Sequence, residues 1–143
     1  MSSVRDFINK NGYYCATVHG TSMLPLLKNH RDSVYVVTPD KLKKYDVVLF
    51  ERANDQLVLH RIMKVQEDVF YISGDNDITL EKVSREQIIG KMTEFSVKDK
   101  EYTTQALWYR LYSRLWGFSN KTKRPLLFLY KLPRKIKARL KHN

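Results

Sequence analysis

Six short hydrophobic runs between residues 13 and 97 are the feature that most constrains how this chain folds. They are rich in Val, Ile, Tyr and Phe, and Asp, Asn, Gly or Pro separate them, which is typical of short antiparallel strands. In chain order the runs are YYCATV, SVYVV, DVVLFE, QLVLHRIMKV, VFYIS and IIGKMTEF. The sequence therefore predicts a mainly β body with several bent strands, a hairpin connection at ERANDQ and a short helix over residues 3–11.

The charge pattern divides the chain at residue 97. Residues 1–97 contain equal numbers of basic and acidic side chains, whereas residues 98–143 contain 13 Lys and Arg against only Asp99 and Glu101. The whole net charge of +11 therefore lies in the last third of the chain. We expect a neutral β domain at 1–97 and a basic tail at 98–143.

Apolar residues of the tail recur with the period of an amphipathic α-helix. They are Leu107, Trp108, Leu111, Tyr112, Leu115 and Trp116. The segment GFSNKTKRP predicts the end of this helix, and Pro133 predicts an interruption of the hydrophobic segment that follows.

Three partners are compatible with this tail. Aromatic residues beside basic ones favour an anionic membrane surface over nucleic acid, which basic residues alone would also attract. The third is a partner protein with a groove for the basic tail, and the alternative to all three is that the apolar stripe packs on the β body. The residues expected at a membrane or partner interface are Trp108, Tyr112, Trp116, Arg124, Arg134 and Lys135.

Several protein classes are excluded by composition. Cys15 is the only cysteine, so the chain has no internal disulfide, and the sequence predicts no metal site and no cofactor. The N-terminal segment MSSVRDFINKNG is too short and too charged for a secretory signal. No stretch approaches the roughly 20 apolar residues that span a bilayer. We expect a cytoplasmic protein or one peripheral to a membrane, and the sequence does not indicate the oligomeric state.

Residues 20–25, GTSMLP, place a serine between a flexible glycine and a stiff proline. This is either an ordinary turn or a loop that carries a nucleophile, which needs a base within hydrogen-bond reach. His60 is the histidine that lies within a strand-like run, and the acidic turn SGDND follows it. Ser22, His60 and Asp75 in this order fit an acyl-transfer site, which is recognised by roles rather than by position.

These motifs together resemble the signal peptidase I family and the related LexA-like self-cleaving repressors, over residues 13–93. GTSMLP is similar to the nucleophile box, LVLHRIMKV to the strand that carries the base, and ISGDND to the Gly-Asp-Asn box. NHRDSVYV, KKYDVVLF and IIGKM are similar to the other strands of that family. The resemblance implies a bent β-sheet fold of this type, followed here by the basic amphipathic helical tail.

The resemblance also implies the site residues. Ser22 is the nucleophile and His60 the general base, where bacterial signal peptidases and the repressors have lysine. The His60–Arg61 pair is similar to the branch found in the endoplasmic reticulum, archaea and spore formers. Asp75 is the third catalytic member, with Asp77 and Glu81 as alternatives.

The oxyanion and substrate loop comprises Gly20, Thr21, Met23 and Pro25 beside Ser22. Gly20 stands where some family members have a hydroxyl side chain, and Thr21 is the candidate to replace it. Arg31–Asp32 and Tyr45–Asp46 stand where the family has two Gly-Asp turns, so both turns lack the permissive residue.

The function implied is a serine endopeptidase that cuts an extended leader peptide or preprotein after small residues. Two alternatives remain, namely an inactive module that binds an extended peptide by strand addition and a self-cleaving regulator. Against the regulator, no recognisable helix-turn-helix precedes the β body. If the base is a lysine, Lys64 is the candidate.

Overall fold

The computed structural model describes the backbone of residues 3–141 and the side chains of residues 3–132. The chain begins with α1, Ser3–Asn11, and continues with strands that we number β1 to β8. Their bounds are β1 Tyr13–Thr17, β2 Ser33–Val37, β3 Val47–Glu51, β4 Leu57–Gln66, β5 Val69–Ser73, β6 Glu81–Ser84, β7 Ile88–Val97 and β8 Lys100–Thr103. Two helices, α2 Leu107–Gly117 and α3 Asn120–Lys141, follow.

The strands of the described residues form one antiparallel sheet in the order β1-β2-β7-β3-β4-β5-β6, and β8 pairs with the far end of β7. The register shifts between β2 and β7, between β3 and β7, and between β4 and β5. Such irregularities bend strands and increase their twist. The predicted mainly β fold with bent strands is confirmed, and the predicted hairpin at ERANDQ connects β3 to β4.

Buried clusters lie on both faces of the sheet. Successive side chains on a strand point to opposite faces, and on β3 Val47 belongs to one buried cluster while Val48 belongs to another. The first cluster contains Met23 and Leu27 from the loop after β1, together with Tyr109 from α2. The serine loop and the first tail helix are therefore anchored in the same core.

Helix α2 packs on the body by a face that includes only part of the predicted stripe. Tyr109, Ser113 and Gly117 are its buried residues, whereas Leu107, Leu111 and Leu115 are exposed. The predicted stripe contained two rows, each with a spacing of four residues, and neighbouring rows lie about 100° apart around a helix. The expectation of one apolar stripe on one side of α2 was therefore wrong.

Helix α3 begins earlier and continues further than the sequence predicted. Ser119 stands just before it, and its hydroxyl accepts a hydrogen bond from the Thr122 amide at 3.2 Å, as an N-terminal cap does. The predicted interruption at Pro133 is also wrong, because α3 continues to Lys141. A proline removes only one backbone donor and kinks a helix as readily as it ends one.

In the part of the chain that the structure describes, no helix is both long and apolar enough to cross a membrane.

Candidate active site

The serine loop is held by contacts on both of its sides. Gly20 has a φ of +87°, which glycine adopts without steric cost, and its amide donates to Asn29 Oδ1 at 2.8 Å. Further along, the Leu27 amide donates to the Met23 carbonyl at 3.0 Å, and both of these side chains are buried in the core. Ser22 lies half-buried between these two fixed points.

The turn after β5 closes over this loop. The Asn76 amide donates to the Ser22 carbonyl at 2.9 Å, and Asn76 Nδ2 donates to the Thr21 carbonyl at 3.1 Å. A Cβ atom at Gly74 would lie only 2.5 Å from the Ser22 carbonyl oxygen. The turn can approach the serine this closely only because residue 74 is glycine.

Ser22 and His60 meet at the same glycine. The position of a Cβ at Gly74 lies 3.1 Å from Ser22 Cβ and 3.2 Å from His60 Cδ2, so the two side chains approach a common point. Cδ2, the ring atom nearest to this position, is bonded to Nε2. The structure brings together the two residues that the sequence predicted as nucleophile and base, although no hydrogen bond joins them among the described residues.

His60 is fixed on β4 and buried, with 6% of its surface exposed. Burial lowers the pKa of His60 below its ordinary value near 6.5, since it disfavours the charged imidazolium. Glu81 and Asp77 oppose this shift, and Arg52 adds to it. His60 Nδ1 is buried and has no hydrogen-bond partner among the residues described.

None of the three candidate acids makes a hydrogen bond to Nδ1, and each accepts hydrogen bonds from other groups. Asp77 Oδ1 accepts from the backbone amides of residues 78 and 79 at 2.7 and 3.0 Å. Both oxygens of Glu81 accept from Arg52, at 2.9 and 2.7 Å. Asp75 is fully buried and its carboxylate is directed to Arg61. The carboxylate of Asp75, predicted as the third catalytic member, accepts its hydrogen bonds from Arg61 and Tyr112 and none from His60.

The ion pair of Arg61 and Asp75 joins the body to α2. Arg61 Nε and Nη2 donate to the two carboxylate oxygens at 2.8 and 2.9 Å, and both residues are fully buried. Burial alone lowers the pKa of Arg61, but the Asp75 carboxylate together with Tyr109 and Tyr112 more than offsets it, and the pKa is raised. From α2, Ser113 Oγ accepts from Arg61 Nη1 at 2.9 Å.

The tail residues predicted for an interface have different positions. Tyr112 Oη donates to Asp75 Oδ2 at 2.7 Å, and Trp116 Nε1 donates to the Asp75 carbonyl at 3.0 Å. Both residues therefore stabilise the packing of α2 on the body. Trp108 is partly exposed and packs edge-on against Phe95. Arg124 is exposed on α3. The side chains of Arg134 and Lys135 lie outside the described residues.

Lys123 is a buried residue near the site that the sequence did not indicate. Its Nζ donates to the carbonyls of Gly74 and Asp77 at 2.9 and 2.8 Å and to Ser73 Oγ at 3.3 Å. Burial lowers the pKa of Lys123 to about 8. Lys123 and the buried Leu127 are four residues apart and therefore lie on the same side of α3. This spacing could have indicated a buried Lys123 only if the sequence had predicted a helix that begins before residue 123.

A cleft of about 780 Å³ opens at Ser22 and His60. Apolar side chains from β1, β2, β3 and β4 form its floor, and the loops at 19–23 and 76–77 form its rim, together with Arg52 and Gln56. Lys64, the alternative base, is exposed beyond the cleft with its ammonium 5.6 Å from the centre of the Tyr71 ring. The cleft has the size of a binding site for an extended peptide segment.

The chain matches a known protein family. A family model described as Peptidase S24-like matches residues 2–93, which include the serine loop, the His60 strand and the Gly74 turn. No curated protein and no solved structure matches the chain significantly.

Proposed function

Because the chain belongs to the peptidase S24-like family, we propose that it is a serine endopeptidase in which Ser22 and His60 act as a catalytic dyad. The observation that carries this proposal is that both side chains line the cleft and approach the same glycine, Gly74. A hydroxyl needs a base close by to become a nucleophile at neutral pH. Burial keeps the His60 imidazole neutral and therefore able to accept a proton.

The reaction proceeds through an acyl-enzyme. Ser22 Oγ attacks the scissile carbonyl carbon while His60 Nε2 takes the hydroxyl proton. The C–N bond then breaks, and His60 gives this proton to the leaving amine. In the second half a water molecule attacks the ester, His60 takes a proton from the water, and the acid is released as Ser22 recovers its hydroxyl hydrogen.

The negative oxygen of the tetrahedral intermediate needs hydrogen-bond donors. The Ser22 amide has no acceptor among the described residues and serves as one donor. Thr21 is exposed beside it and is the side chain from which we expect a second donor.

The Ser–His branch of the signal peptidases is the part of the superfamily that we propose for this chain, on the strength of the His60–Arg61 pair. In this chain Arg61 has a structural reason to follow His60. Neighbouring strand residues point to opposite faces, so one faces the cleft while the other forms the buried ion pair with Asp75. The substrate class implied is an extended leader or preprotein segment with small side chains before the cut.

A serine-directed fluorophosphonate probe tests the nucleophile directly. We expect the probe to label Ser22, as located by mass spectrometry, and peptides with small residues to be cleaved. Ser22→Ala should abolish labelling and lower the rate of cleavage roughly 10⁴-fold or more. Ser3→Ala, a change at an exposed serine, is the matched control and should leave both unchanged.

Two other outcomes have definite meanings. A folded protein that binds the peptides without cleaving them or reacting at Ser22 would be the inactive binding module. Fragments of the chain itself, formed on incubation without substrate and absent in Ser22→Ala, would identify the self-cleaving regulator.

A further inference from the structure

Helix α2 presents apolar side chains on two opposite sides. At 100° per residue, Tyr109 and Trp116 lie on the side that packs on the body, and Leu111 lies almost diametrically opposite Tyr109. Leu107 and Leu115 lie within about 40° of Leu111 on the helix circumference. An apolar side of a helix in a globular protein normally faces the core.

The outer side of α2 is nevertheless exposed. Leu107, Leu111 and Leu115 are 70%, 60% and 50% exposed, and Phe118, which continues the same row, is 62% exposed. Single exposed apolar residues are ordinary, whereas a row of four along one helix marks an interaction surface. We call these four residues the outer row.

Basic side chains border the outer row. Arg110 and Arg114 each precede one of its leucines and therefore lie along one edge of it. Lys44, from the loop before β3, donates to the Phe118 carbonyl at 3.0 Å, and its ammonium is 5.5 Å from the centre of the Phe118 ring. Arg114 lies over the ring of Tyr45 at 5.6 Å. The cations are thus held beside the apolar row.

We propose that the outer row docks on an anionic lipid membrane, with α2 lying in the plane of the interface. Apolar side chains enter the acyl boundary, and arginine and lysine meet the phosphate groups, as in interfacial amphipathic helices. A second copy of this chain is disfavoured as the occupant, because residues 98–143 carry the whole net charge of +11 and two tails would repel. Nucleic acid would use the charges, but its phosphate backbone offers nothing to a row of leucines.

Vesicle flotation with the full chain tests this proposal. We expect binding to vesicles of phosphatidylcholine mixed with phosphatidylglycerol, weaker binding as salt is raised, and little binding to phosphatidylcholine alone. Leu111→Gln should weaken partitioning at least about tenfold. Arg110→Gln should weaken it about fivefold, the effect of one basic residue near an anionic surface.

Matched controls separate an effect of the outer row on vesicle binding from the effect of losing any exposed apolar or basic side chain. Val65→Gln alters an apolar side chain exposed on β4, and Lys10→Gln removes a positive charge on α1; both should partition like the unchanged protein. Because Leu111 is exposed, Leu111→Gln should keep its urea unfolding midpoint and its reaction with the serine probe. This inference therefore does not depend on the peptidase proposal.

Three results would overturn the proposal. They are flotation that Leu111→Gln leaves unchanged, equal binding to neutral and anionic vesicles, and a dimer that dissociates in Leu111→Gln while the protein fails to float. The last result would identify the outer row as a contact between two copies.

Discussion

At the scale of single residues, opposing effects act on the pKa of His60. Burial lowers its pKa, and the carboxylates of Glu81 and Asp77 raise it, with burial the larger effect. The base must be neutral to accept the Ser22 proton, so the rate of cleavage falls as pH drops through the His60 pKa. Since this pKa lies below its ordinary value, we expect kcat/KM to keep most of its value at pH 6.5 and to fall only at lower pH.

The pH profile also distinguishes His60 from the lysines. His30 is exposed and its backbone φ is positive, a conformation that asparagine tolerates. His30→Asn therefore serves as the control, because it removes an imidazole without straining the backbone and should not change the pH profile. A rate that rises only near pH 8 would instead assign the base to Lys123, whose pKa is about 8. Loss of cleavage in Lys64→Met would assign it to Lys64.

Tyr45 shows how one residue can differ from the family pattern while the turn is kept. It stands where the resemblance places a glycine, and its φ is +85°, a conformation that is strained for a bulky side chain. Its carbonyl accepts from Arg61 Nη1 at 2.9 Å, and cations from Lys44 and Arg114 lie over its ring. These contacts with the ion-pair network and α2 offset the strain and hold the turn in place.

At the scale of elements, α3 supports the turn that carries Gly74. The ammonium of Lys123 donates hydrogen bonds to two carbonyls of this turn, and Asn76 of the turn donates to the serine loop. Lys123→Met leaves both carbonyls without this donor, so we expect the free energy of unfolding to fall by about 2 kcal/mol. We also expect kcat to fall with KM less affected, because Ser22 and His60 lose their alignment. Urea unfolding and steady-state kinetics measure the two effects.

Lys121→Met is the matched control for this prediction. Lys121 is exposed on the same helix two residues earlier, and its replacement should change neither stability nor kcat. If Lys123→Met retains both the stability and the kcat of the unchanged protein, Lys123 does not support the turn.

The elements that sequence reasoning predicted are those with a local signal. Six hydrophobic runs became six strands, whereas β6, with the sequence EKVS, and β8, with KEYT, were not predicted. Each has few apolar residues because it lies at the margin of the sheet and has one strand as a neighbour. Their pairing depends on the strand beside them, which no local window of sequence contains.

The site was predictable to a similar extent. Ser22 and His60 lie in motifs with a fixed order, and the structure brings them together at Gly74. The bonds from Lys123 and Tyr112 to the SGDND turn could not be predicted, because 37 or more residues separate the partners. Motif order placed Asp75 near the dyad, but order along the chain does not reveal that Arg61 and Tyr112 bind its carboxylate.

At the scale of the whole molecule, the charge boundary at residue 97 is not a boundary in packing. Strand β8 lies beyond it and pairs with β7, and Tyr109 of α2 belongs to the core of the β body. The inner side of α2 also completes the Arg61–Asp75 network. The tail therefore contributes to the folding of the domain that carries the site, while its outer row remains exposed.

A chain shortened to residues 1–106 tests this integration. It would lose the Tyr109 ring from the core and the Ser113 and Tyr112 hydroxyls from the buried ion pair. Because buried charges left with incomplete partners are costly, we expect the free energy of unfolding to fall by about 3 kcal/mol or more. The reaction of Ser22 with the serine probe should fall with the folded fraction.

A chain of residues 1–132, which keeps α2 and Lys123, is the control and should unfold near the midpoint of the full chain in urea. Equal midpoints for the 1–106 chain and the full chain would show instead that the tail is a separable appendage, as the charge pattern alone predicted.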